Sequence, residues 1–390
     1  MSERTLLLLD VDGVLVHPVG YKMALRATVN HFAAQMGQPA MGPDDEEIAI
    51  FEACGITNEW DSGAMCVSAI VLAALEERPD LRRDTLGGTL EAINDEGAPI
   101  SRPDYRILAR TILPMIQRGQ GVPAALHLAQ LAQYTDAENL PLLAALLDDV
   151  YTIRTPTTQI FQNHTLGSVY YAETYGETPP LQLDSYLKQY DMPLLSKTNR
   201  ERLLEWHGAN GNGAAVFTAR PSLPPVDLPE RNIQGHAPEA ELAAELLEIE
   251  GKIPLIGQGR IVWLAAQHGR TSTDYLKPAP VQALAAIGAA ASHTEKDALE
   301  AAAVLYEEGT LSGPLAALKG DELRVFVLED ATTGVRAARA AVERLRHAGL
   351  KIHFEAVGVS THPEKQAALR EVADHVVNQV NEGLALVFGN

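Results

Sequence analysis

Cysteine is nearly absent from this chain: Cys54 and Cys66 are the only two in 390 residues. Two thiols cannot build a disulfide framework, so both are expected as small core residues of a reduced, cytoplasmic protein. Basic residues are scarce as well. Lys and Arg number 31 against 51 Asp and Glu, a formal charge of −20. Such a field repels phosphate backbones and anionic lipid, which disfavours nucleic acid and membrane surfaces as partners. An acidic chain that handles an anionic substrate must neutralise it locally, with a metal ion or a few placed cations. Too few residues precede Asp10 for a signal peptide or a membrane span, which again leads to the expectation of a cytoplasmic protein. Asn163-His164-Thr165 spells a glycosylation sequon, idle without export. No internal repeat is legible, and no heptad or strand edge marks an oligomer.

What is present is an ordinary globular balance, 46% hydrophobic and 21% charged, which excludes disordered and fibrous classes. The length exceeds a usual single core and predicts a large domain with a second one. Thr5 to Leu9 is a continuous apolar run stopped by Asp10-Val11-Asp12-Gly13. A parallel strand covered on both faces has this form, because it needs no polar alternation. Ala214 to Phe217, ending in Thr218, and Val325 to Leu328, ending in Glu329-Asp330, share it. Ile352 to Val359 and Asp374 to Val380 are further strand candidates. Between them, Val335, Ala338, Val342 and Leu345 recur at helical spacing, with Gly349 as a stop. Pro363 suits the first turn of another helix. Strands alternating with helices predict an α/β fold, a doubly wound, Rossmann-like parallel sheet. The stretch 17–198 reads differently. Tyr21 to Met36, Gly63 to Leu75, Pro123 to Gln133 and Pro141 to Val150 are helical patterns, and strand-like runs are few. The expected organisation is an α/β core of 1–16 with 199–390, interrupted by a large, mostly α-helical insertion of 17–198. The Ala-rich segment Val281 to Leu305 is expected as helix.

In open parallel sheets, ligands bind outside the carboxyl ends of the strands. Three runs end at that edge in acid or hydroxyl residues: Asp10 with Asp12, then Thr218, then Glu329 with Asp330. Lys277, in Lys277-Pro278-Ala279-Pro280, supplies the fixed cation such an edge needs. Asp10-Val11-Asp12-Gly13-Val14-Leu15 resembles the first motif of the haloacid dehalogenase superfamily of hydrolases. Val216-Phe217-Thr218 is similar to its second motif, Lys277-Pro278-Ala279-Pro280 to its third, and Glu329-Asp330-Ala331-Thr332-Thr333-Gly334 to its fourth. The pair of third and fourth motifs resembles the branch containing β-phosphoglucomutase and phosphoglycolate phosphatase. The resemblance covers the first strand and roughly 200–380, and says almost nothing about 20–195. The stretch from Lys277 to Asp330 is longer than is usual in that branch, so its helix is expected to be extended or doubled.

The resemblance implies a set of roles that the chemistry supports. A phosphate monoester and an Asp nucleophile are both anionic, so their approach needs neutralisation, and Mg²⁺, a hard ion held by few carboxylates, suits it. Asp10 is the implied nucleophile and a metal ligand, forming an aspartyl phosphate. Asp12 is the implied general acid and base, with its backbone carbonyl on the metal. Asp330 completes the metal site, with Glu329 in direct or water-mediated contact. Lys277 neutralises Asp10 and the phosphoryl oxygens, Thr218 hydrogen-bonds those oxygens, and Gly13 lets the backbone approach them. The acid at position 12 separates this chain from dehalogenases, which lack it, and from phosphonate hydrolases, which carry a small residue there. A phosphatase acting on a small phosphorylated metabolite is the leading expectation. A sugar-phosphate mutase, or a non-catalytic binding protein that uses the large insertion, are the alternatives. Specificity is expected from the insertion as a cap. Lys22 and Arg26, four apart on its first helix, are candidates for a second anionic group of the substrate, and Arg220 for the phosphate end of the sheet. Asn58-Glu59-Trp60-Asp61 is expected at a helix–helix turn with Trp60 packed between helices. His17, His127, His164 and His207 show no ligand spacing, and Gly257-Gln258-Gly259-Arg260 reads as a turn rather than a dinucleotide fingerprint.

Overall fold

The structure, a computed structural model, describes residues 3–119 and 121–389. Six strands form one parallel sheet: β1 (Glu3–Leu9), β4 (Gly213–Phe217), β5 (Leu255–Ile256), β6 (Glu322–Glu329), β7 (Lys351–Val359) and β8 (His375–Val377). Two short segments, β2 (Val16–His17) and β3 (Met192–Pro193), pair separately and antiparallel. The order across the sheet is β5-β4-β1-β6-β7-β8, so β1 lies inside the sheet with a strand on either side.

The apolar run of β1 explains its central place. Leu6, Leu7, Leu8 and Leu9 are all fully buried, each contributing about 1.5–3 kcal/mol relative to an exposed side chain. Successive side chains of a strand point to opposite faces. Leu6 and Leu8 pack with Ala215, Phe217, Val325 and Val327 on one face, while Leu7 and Leu9 join Ala214, Val216, Phe326 and Leu328 on the other. The first face is covered by helices Val281–Ser292, Lys296–Glu308 and Thr332–His347, the second by Glu239–Leu246 and Val380–Phe388. This is the doubly wound α/β architecture expected. The Ala-rich segment is two helices, broken at His293, whose left-handed backbone (φ 63°) ends the first. The connection from Lys277 to β6 is thereby doubled.

By compactness the chain divides into two units, one running up to Pro18 and resuming at Asp191, the other Val19–Tyr190. The return falls at 190/191 rather than near 198, because Met192–Pro193 pairs with Val16–His17 and Leu194 N donates to Leu15 O at 2.8 Å. Helix Lys197–Trp206, capped by Ser196, therefore belongs with the sheet. The unit Val19–Tyr190 is helical, with its own core built from Leu25, Phe32, Met65, Val67, Ile112 and Leu143 among others. Asn58 caps helix Glu59–Glu77 by accepting from Trp60 N at 2.9 Å, and Trp60 packs against Tyr151. Cys54 and Cys66 are buried free thiols. Burial holds the His127 and His164 imidazoles neutral, with pKa values lowered to about 4. No described helix is long and apolar enough to cross a membrane.

Candidate active site

The carboxyl edge of the sheet gathers the acids. Asp10 follows β1, and its backbone N donates to Leu328 O at 3.0 Å, continuing the ladder with β6. The chain then turns tightly: Leu15 N and Val16 N both reach Val11 O at 2.9 Å, and Gly13 N reaches Val16 O at 2.9 Å. Gly13 is the residue that permits this turn. Its φ is +74°, and a Cβ there would meet Asp330 Oδ2 at 2.7 Å, so a side chain is excluded both by conformation and by space. The register Leu9↔Leu328 places the end of β6 level with the end of β1, which brings Glu329 and Asp330 beside Asp10. Carboxylate oxygens of Asp10, Glu329 and Asp330 all lie within 4.8 Å of one another.

Lys277 joins this group from the loop before helix Val281–Ser292. Its Nζ donates to Asp10 Oδ1 at 2.9 Å, to Phe217 O at 2.9 Å and to Glu329 Oε1, and it lies 3.8 Å from the centre of the Phe217 ring. Burial raises the Asp10 pKa well above the ordinary carboxylate range; Lys277 opposes this, and the neighbouring Glu329, Asp330 and Asp12 add to it. The Glu329 carboxyl is raised likewise, by burial first, against the pull of Lys277. Burial alone would discharge Lys277, but the two carboxylates outweigh it and hold the ammonium charged. Buried carboxylates raised together in this way are undercompensated by one lysine. Such a hard-oxygen cluster suits a divalent cation of the Mg²⁺ kind.

Glu329 is also fixed from behind. Its Oε2 accepts from Ala331 N at 3.1 Å, and a Cβ on Gly334 would collide with its carboxylate. Gly334→Ala is expected to displace Glu329 and destabilise the fold by about 1–3 kcal/mol, as overpacking does. Urea unfolding measures it, and an unchanged midpoint with unchanged slope would reject the packing argument.

The remaining expected residues fall in three places. Thr218 follows β4, buried, with its Oγ1 accepting from Arg220 N at 3.2 Å, which leaves the hydroxyl proton to donate. Asp12 directs its carboxylate to Arg220, whose Nε lies 2.9 Å and 3.1 Å from its two oxygens. Arg220 is not an open cation awaiting substrate: its side chain is 1% exposed and its Nη2 also reaches Asp191 Oδ2 at 2.9 Å. Lys22 and Arg26 belong to the helical unit and are engaged there, Lys22 with Glu52 at 3.5 Å and Arg26 with Asp45 and Pro43 O. Three participants carried no sequence signal. Asp191 is a lone acid, Gln282 bonds the carbonyls of Thr218 and Ile256 at 2.6 and 2.9 Å, and Lys365 bonds Asp330 Oδ2 at 2.7 Å. His207, by contrast, has a structural task, accepting from Ala214 N at 2.9 Å. Gly257 starts helix Gln258–Gln267, and Arg260 is buried on Glu241 and Glu295.

No protein-family model matches the chain, and no curated protein matches it in sequence. Solved structures do. An X-ray structure determined as a structural-genomics target superposes with a TM-score of 0.67 at 15% identity, over 100% of this chain and 99% of that one. The fold, large insertion included, is therefore shared with a protein of almost unrelated sequence. More distant are a phosphatase, Tt82, from Thermococcus thioreducens (TM-score 0.38, 14% identity, 90% and 91% of the two chains) and a candidate β-phosphoglucomutase from Thermotoga maritima (0.38, 14%, 99% and 99%).

Proposed function

We propose that this chain is a Mg²⁺-dependent phosphatase that hydrolyses a small phosphorylated metabolite through an aspartyl phosphate on Asp10. One observation carries the reading: the carboxylates of Asp10, Glu329 and Asp330 and the ammonium of Lys277 converge at the carboxyl edge of the sheet. Three of the four segments that resemble the haloacid dehalogenase motifs supply these four residues, and the remaining one supplies Thr218.

In this mechanism an Asp10 oxygen attacks phosphorus as the ester P–O bond breaks, and the leaving oxygen takes its proton from Asp12. Asp12 then removes a proton from water, whose oxygen attacks the same phosphorus and releases Asp10. Lys277 holds the Asp10 carboxylate in place and offsets the charge gathering on the phosphoryl oxygens, and Thr218 donates to one of them. Gly13 leaves the backbone bare where the phosphoryl group must approach. Mg²⁺ held by Asp10 and Asp330, with Glu329 and the Asp12 backbone carbonyl beside them, would lower the repulsion between phosphate and nucleophile. The helical unit, residues Val19–Tyr190, would act as the cap that selects the substrate.

The experiment is a panel of phosphorylated metabolites assayed for free phosphate with and without Mg²⁺. Release of phosphate only with the metal supports the reading; isomer formed without release would assign a mutase; and no turnover, even of an aryl phosphate, would reject catalysis. Asp12→Asn refines it. General acid–base assistance is worth about 10²–10⁴ in rate, and good leaving groups need less of it. Alkyl phosphates should therefore lose much more than aryl phosphates in the phosphorylation step. Equal losses, with that step shown to limit the rate, would remove Asp12 from its role.

A further inference from the structure

Asp12 stands on a turn whose backbone is closed by four hydrogen bonds among Val11, Gly13, Val14, Leu15 and Val16, so only its side chain is left to rotate. That side chain is 35% exposed, open enough to meet a substrate and to wander. Arg220 restrains it. The guanidinium presents Nε and Nη2 to the Asp12 carboxylate and offers Nη2 again to Asp191. Arg220 is itself immobile: its N donates to Thr218 Oγ1, its O accepts from Gln258 N at 3.0 Å, and both its side chain and that of Asp191 are 1% exposed.

Burying an arginine and an aspartate together brings little net stability, because desolvation offsets most of the attraction. What the arrangement does provide is direction, since a planar guanidinium shared between two carboxylates has one orientation that serves both. Asp191 is also the first residue of the returning segment that leads into β3.

We propose that Arg220 and Asp191 are positioning residues for the proton transfer made by Asp12, with Asp191 setting the plane of Arg220 and Arg220 setting the carboxylate of Asp12. The inference rests on the phosphatase reading, and it deepens it: through Asp12, both residues would govern protonation of the leaving group. The competing role is a plain anchor that ties the returning segment to the sheet.

The test uses the full-length protein with Mg²⁺ and compares an alkyl phosphate with p-nitrophenyl phosphate for wild type, Arg220→Lys and Asp191→Asn. Lysine keeps the charge but not the fork, and asparagine keeps the shape but not the charge. Arg220→Lys is expected to lower kcat/KM for the alkyl ester on the order of 10²-fold and for the aryl ester by less than about tenfold. Asp191→Asn should move the ratio in the same direction by a smaller factor. Melting temperatures within a few degrees of wild type establish that the variants fold. A crystal structure of Asp191→Asn gives the second readout, and in it the Asp12 carboxylate should have left the position it holds here. An unchanged alkyl-to-aryl ratio in folded variants, or an Asp12 carboxylate that keeps its place, overturns the proposal in favour of the anchor. Should wild type release no phosphate from any ester, the phosphatase reading falls separately, and the Asp12 position in the variant crystal still decides whether Asp191 orients it.

Discussion

Asp10→Asn should abolish turnover while leaving the fold intact, with a loss on the order of 10³-fold or more if catalysis is covalent. The amide matches the carboxylate in shape and can still accept from Lys277, whose Nζ lies 2.9 Å from Asp10 Oδ1. It is a poor nucleophile and a weaker metal ligand, so the loss falls on chemistry rather than on packing. The substitution also removes one of the crowded carboxylates, which burial already disfavours in the charged form. The variant is therefore expected to melt no lower than wild type. Steady-state kinetics on the best substrate of the panel, with circular dichroism as the fold control, measures both. Activity within tenfold of wild type, in protein free of contaminating phosphatase, would eliminate Asp10 as nucleophile.

Lys277→Met should destabilise the metal-free protein by about 3–5 kcal/mol near pH 8, the usual cost of removing one partner from a buried ion pair. Asp10 and Glu329 then face each other with no cation donating to either, and Phe217 O loses a donor. The deficit should depend on pH with a definite sign. Because burial holds the Asp10 carboxyl above its ordinary value, the folded state binds more protons than the unfolded state between the two pKa values. Stability from this group is present at low pH and lost as pH rises through the folded value. Without Lys277, which lowers that value, the interval widens. The variant should therefore come closest to wild type near pH 5 and fall furthest below it near pH 8. Urea midpoints in chelator across that range measure it, and a deficit independent of pH would mean that the lysine acts through packing alone.

Much of this arrangement is legible in the residues because the physics that fixes it is local. Leu6 to Leu9 read as a central strand because only a strand covered on both faces can be apolar without alternation. The acids at the ends of β1 and β6 follow from the same strands. What escapes is tertiary. Leu255–Ile256 pairs with the end of β4, but two residues carry no period. Lys22 and Arg26 lie four apart on one helix, as their spacing says, yet their partners Glu52 and Asp45 both lie on a different helix, Asp45–Ala53, and spacing holds no record of that. Arg220 has a charge that the sequence displays and a burial that it does not. Asp191 gains meaning only from Arg220.

The β2–β3 pair has a consequence for how such a chain can grow. Val16 stands opposite Pro193 and His17 opposite Met192, so the strands that carry the acids see the whole segment Val19–Tyr190 as the loop of a short hairpin. The entropy of closing a loop rises only with the logarithm of its length, about 0.6 kcal/mol for each doubling. A helical segment that folds around its own core adds still less flexible chain between the two ends. Residues can accumulate, be lost or be exchanged wholesale beyond that hairpin at little thermodynamic cost to the sheet. The chemistry of the edge and the size of what is threaded through it are thus free to change on separate historical clocks.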